Sequence, residues 1–167
     1  MMISLALLGY GASGTFIALS RQWLKGRFQT TYLVNAVLFG ISAVVCFLLA
    51  QAVPFNALEV LWDPQQPLWL MLIFLLLFVP FFCSANCICL AFSEFATQLQ
   101  RIYCFDLLGA GTGALAIVGL LFIVLPGTAL KAVGALGIFS AAVAWRECGM
   151  QPRWPALALL LGAGAVL

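Results

Sequence analysis

From Leu68 to Phe92 the chain runs for 25 residues without one charged side chain. A helix of that length reaches about 37 Å at ~1.5 Å per residue, enough to cross a hydrocarbon core of about 30 Å with some tilt. Comparable apolar runs recur on either side of it. The charges are gathered into short stretches between them, Asp106 aside. A chain patterned this way has lipid, not water, as its solvent.

Composition agrees. The sequence is 65% hydrophobic and 7% charged, against about 25% charged in a soluble domain. A net charge of +2 gives no footprint for nucleic acid, and with no histidine the chain lacks His-based acid–base chemistry, His-ligated haem and the common zinc sites. The six cysteines, Cys46, Cys83, Cys87, Cys89, Cys104 and Cys148, mostly lie inside or beside apolar runs and read as free thiols packed in helices.

The fold expected is all-α: one polytopic transmembrane bundle over residues 1–167, with five full helices and a truncated sixth. The helices are placed at about 1–19, 31–53, 68–92, 103–125, 130–145 and 155–167. The first lacks the basic flank of a signal peptide. Between the second and third, prolines 54, 64 and 67 with Trp62 predict a flat interfacial segment closed by a turn at Asp63–Pro64. Pro80 predicts a kink in the third helix. The sixth run gives about 20 Å of helix and falls short of spanning. Both ends therefore read as cut, and a fragment of a longer product is expected.

Basic residues set the orientation. Arg21, Lys25, Arg27, Arg101, Arg146 and Arg153 fall in stretches 20–30, 93–102 and 146–154, which alternating helices put on one side; Lys131 alone falls on the other, with Glu59 and Asp63. The positive-inside rule makes the basic side cytoplasmic, in a bacterial inner membrane, with the N-terminus outside.

Small residues supply packing faces. Gly9, Gly11, Ser13 and Gly14 on the first helix, and Gly109, Gly111 and Gly113 on the fourth, let backbones approach closely. Gly9, Gly11 and Gly14 also match the spacing of a dinucleotide loop, but no strand precedes them and the apolar run is unbroken, so packing is the reading kept. Leu7-Leu8-Gly9-Tyr10-Gly11 recurs as Leu107-Leu108-Gly109-Ala110-Gly111, with opposite direction across the membrane; this raises an inverted repeat of two three-helix units.

Three polar residues stand out. Asp106 is placed in the first turn of the fourth helix, where the dipole favours an anion. It serves there either as an interfacial anchor or as a polar group facing another helix, a substrate cation or a proton path. Arg101 can reach it only across the helix entry. Asn86 carries an amide that hydrocarbon cannot satisfy and should face another helix. Asn35 sits near the second helix's start, where polarity is cheap. Cys83, Cys87 and Cys89 fall on about two turns and offer soft ligands for copper(I), but packing is the simpler role and no metal site is assigned. No catalytic set stands in the chain.

In one order, the sequence carries Ile3-Ser4-Leu5-Ala6-Leu7-Leu8-Gly9-Tyr10-Gly11-Ala12-Ser13-Gly14-Thr15, Trp62-Asp63-Pro64, Pro80-Phe81-Phe82, and Arg101-Ile102-Tyr103-Cys104-Phe105-Asp106-Leu107-Leu108-Gly109-Ala110-Gly111. Together these resemble the membrane region of bacterial spermidine-synthase-like integral membrane proteins, in which transporter-like helices are fused to a spermidine-synthase-like domain. The resemblance implies a membrane module that anchors or serves an aminopropyltransferase- or methyltransferase-like domain binding an adenosyl-sulfonium cofactor. This chain matches none of that domain, so no cofactor is assigned to it. Its expected partners are the lipid bilayer and other transmembrane helices or subunits. Two alternatives stand beside this: a small accessory subunit of a larger membrane complex, and half of a transporter for a cation such as a polyamine, with Asp106 and Asn86 on its path.

Overall fold

A computed structural model describes residues 2–24, 26–56, 58 and 62–147. They form five long helices: α1 (Met2–Leu24), α2 (Phe28–Ala52), α3 (Gln66–Glu94), α4 (Leu99–Ile123) and α5 (Pro126–Glu147), with a single 3₁₀ turn, Ala96–Gln98, before α4. No strand occurs among the described residues. All five helices are long and apolar enough to cross a membrane. The expected sixth helix, at 155–167, lies outside the described residues.

The helices run further than the apolar runs alone suggest. α1 continues through Arg21, α4 already contains Arg101, and α5 contains Arg146. In general a long basic side chain can reach toward headgroups from a backbone that stays helical, so a charge does not mark the end of a membrane helix. The basic stretches are therefore largely helix ends. The helix expected at 130–145 also starts earlier: Pro126 opens α5, as its fixed φ and missing N–H allow. Between α1 and α2 the turn rests on Gly26, whose φ of +81° suits a residue without Cβ.

Pro80 sits inside α3 without ending it. Before α3, Asp63 organises the turn. Its carboxylate accepts from the Gln65 N–H at 3.0 Å and from Gln66 Nε2 at 3.2 Å, and Gln66 Oε1 in turn accepts from the Asn56 N–H at 3.0 Å. This is the turn expected at Asp63–Pro64; most of the segment before it, residues 57 and 59–61, lies outside the described residues.

α3 packs between α1 and α2, and α2 packs between α3 and α5. Leu33, Ala36 and Val37 of α2 form the core with Ala141 of α5, flanked by Ile41, Cys87, Ala144 and Trp145. α4 differs from its neighbours. It packs only sparsely against the others, and none of its residues is buried.

Candidate functional site: a polar clasp inside the bundle

Buried polarity converges where α1, α2 and α3 meet. Ser13 and Asn86 are buried. The Ser13 hydroxyl donates to Asn86 Oδ1 at 2.7 Å, and Asn86 Nδ2 donates to Asn35 Oδ1 at 3.2 Å. Asn35 Nδ2 then donates to the Thr31 carbonyl at 2.8 Å. One amide thereby links α3 to both neighbours. Sequence reasoning turned Asn86 toward another helix, and the structure does so. It treated Asn35 as a cheap terminal polar group, whereas Asn35 is eight residues into α2 and supplies half of the Asn86 contact. A second polar residue in an apolar helix was the available signal.

The clasp requires close backbones, and glycine provides them. A Cβ placed on Gly9 would come within 3.1 Å of Phe81 Cβ, so α1 and α3 meet there with no room to spare. One turn later Ser13 reaches Asn86. Phe16 then packs edge-on to Phe82, ring centroids 5.7 Å apart. On the other side of α3, Cys87 Sγ lies 3.9 Å from the Tyr32 carbonyl, and Phe28 meets Phe95 edge-on at 5.7 Å. α1 is thus parallel to α3, and α2 antiparallel to it.

The other glycines singled out behave differently. Gly11, Gly14, Gly109, Gly111 and Gly113 have nothing within 4 Å of the point where a Cβ would stand. Two that sequence reasoning missed do meet a neighbour. A Cβ on Gly40 of α2 would lie 2.7 Å from Ile138 Cγ1 and 2.9 Å from the Gly134 carbonyl oxygen, and one on Gly137 of α5 would lie 2.7 Å from the Phe39 ring. Nothing distinguishes Gly40 or Gly137 in sequence from the other glycines of so apolar a chain.

Asp106 is not in a first turn. α4 begins at Leu99, which puts Asp106 about two turns inside, beyond the orphan N–H groups of the helix end. It is exposed on the helix surface. Arg101, also within α4, lies with its guanidinium 5.9 Å from the centre of the Phe105 ring, a cation–π contact. Cys83 is buried, Cys87 and Cys89 are partly so, and among the described residues no three metal-ligating side chains gather.

These features define the class: an α-helical bundle with five membrane-length apolar helices, tied at its centre by side-chain amides and a hydroxyl. No family model matches the chain, and no curated protein or solved structure matches it either.

Proposed function

We propose that the chain is a non-catalytic, membrane-embedded module of a spermidine-synthase-like inner-membrane protein, anchoring or serving a cofactor-binding domain. One observation carries the non-catalytic part. Among the described residues, every buried polar side-chain atom has a hydrogen-bond partner within the protein. Ser13 and Asn86 bind each other, Ser42 donates to the Phe39 carbonyl, and Gln66 is held by Asp63 and Asn56. The polarity buried between helices, Ser13 with Asn86, is thus taken up by helix association, the role such groups fill in lipid, and the rest is taken up locally. The identity of the served domain rests on the ordered sequence resemblance. The basic helix ends support placing that domain's side of the membrane in the cytoplasm.

Purification from native membranes tests this. The expected result is a cofactor-binding domain, in the same polypeptide or bound to it, that photolabels with an adenosyl-sulfonium analogue. A preparation of 18.0 kDa that retains no such domain would contradict the proposal.

A second reading, part of a carrier for a cation, is favoured by Asp106. Its exposed carboxylate lies two turns into an apolar helix, a costly position for a charge without a task. Spermidine uptake into proteoliposomes, lost in Asp106→Asn, would support it. Equal uptake by both forms would remove it.

A further inference from the structure

α2 packs against both α3 and α5, but α3 and α5 have little packing on each other. Side-chain size is the reason. Where their flanks face across α2, α3 offers Ser84 and α5 offers Gly137 and Ser140, too small to close the gap. A mostly apolar crevice of about 300 Å³ remains, with Tyr32 and Ala36 of α2 on its floor, Ser84 and Ile88 on one wall, and Leu136 and Ser140 on the other. Gly137 has no room to grow, since a Cβ there would stand 2.7 Å from the Phe39 ring. Leu136 and Ser140 are exposed, so the crevice opens sideways into the bilayer.

One end of this crevice is cationic. α2 and α5 are antiparallel: Gly40 meets Gly134 and Ile138, while nearer the start of α2 Leu33 shares a core with Ala141, and Ala144 packs against it. The start of α2 and the end of α5 therefore come together. Arg27 is the N-cap residue of α2, just before Tyr32, and Arg146 falls in the last turn of α5, just after Ser140. At ~1.5 Å per residue the two arginines stand about 7.5 and 9 Å beyond those lining residues along the helix axes. Both are exposed. The helix ends gathered here carry Arg21, Arg27, Arg101 and Arg146 against Glu94 and Glu147, an excess of positive charge.

We propose that the crevice is a binding site for an anionic phospholipid, with one acyl chain lying between α3 and α5 and the phosphate between Arg27 and Arg146. An acyl chain fits a narrow apolar trough and restores the dispersion contacts that its small lining residues leave unmade. The chain alone does not discriminate, since every lipid of the bilayer offers one. Charge does: a basic pocket between membrane helices selects headgroups of net negative charge. The step from arginines to crevice leaves room for the glycerol that joins phosphate to chain. The bound lipid bridges α3 and α5, two helices that protein contacts leave apart.

Photocrosslinking of the full chain in proteoliposomes tests this. The probe is phosphatidylglycerol with a diazirine on one acyl chain, and the competitors are unlabelled phosphatidylglycerol and phosphatidylcholine. Adducts are expected in peptides containing residues 84–88 and 133–140, which line the crevice. Phosphatidylglycerol should displace them about thirtyfold more effectively, the selectivity two basic residues supply. In Arg27→Gln with Arg146→Gln that preference should fall to near parity. Ser140→Phe fills the crevice and should abolish the adducts, whereas Phe139→Trp, at an exposed position outside the lining, should leave them unchanged. Absence of adducts in these peptides, as when a second protein covers the crevice, overturns the proposal. So do adducts spread evenly over the exposed helix faces, equal displacement by the two lipids, or a preference that survives loss of both arginines. If Ser140→Phe loses its helical circular dichroism, the wild-type adduct map and the competitor ratio decide.

Discussion

The Ser13 hydroxyl and the Asn86 amide oxygen stand 2.7 Å apart, 73 positions distant in sequence and both buried. In lipid the hydrophobic effect does not drive helices together, so contacts of this kind and close packing must do so. Ser13→Ala leaves Asn86 with one bond fewer, and Asn86→Leu removes the link to both α1 and α2. In a double-mutant cycle read by unfolding in mixed micelles, Ser13→Ala and Asn86→Ala should couple by about 0.6–1.7 kcal/mol. Additive effects would mean that the pair contributes nothing beyond shape.

Glycines of this chain should divide by what lies opposite. Gly40→Ala sets a methyl 2.9 Å from the Gly134 backbone oxygen, which cannot swing aside. The expected loss is about 1–3 kcal/mol, the usual cost of overpacking. Gly11→Ala meets nothing within 4 Å and should be neutral or stabilising by up to about 1 kcal/mol through helix propensity. Unfolding midpoints of the two variants, measured side by side, check this.

Gly26 turns the chain from α1 into α2 with φ +81°. Gly26→Ala should cost about 1–2 kcal/mol, the penalty for an L-residue in left-handed backbone. Its space is open, so Gly26→Asn, which tolerates that region better, should recover part of the loss. Equal stability of all three forms would place the turn in another conformation.

Orientation has a direct readout. With the native cysteines replaced, Trp62→Cys should react with a membrane-impermeant maleimide applied to intact cells, since Trp62 is 87% exposed in the turn before α3. Arg27→Cys, at the opposite end of α2, should react only after permeabilisation. The reverse pattern would invert the topology.

Much of this was legible from the chain because lipid leaves few choices. Apolar runs of sufficient length must be helices, and an amide such as Asn86 must find a partner on another one. Helix ends were less legible. Arg101 and Arg146 read as loop residues, although long cationic side chains let a helix continue toward the interface. That single error also misplaced Asp106, putting it at a helix start when it lies two turns in. Close contacts were legible only where a glycine fell beside a polar residue, as Gly9 does near Ser13. Gly40 and Gly137 depend on which helices become neighbours, a relation between distant segments that local pattern does not carry.

Alkaline carbonate extraction of membranes from expressing cells tests the central claim most directly, because it strips peripheral proteins and leaves those whose helices cross lipid. The account predicts that the chain stays entirely in the membrane pellet and is released only by detergent. Recovery of folded, helical protein in the detergent-free supernatant would contradict it.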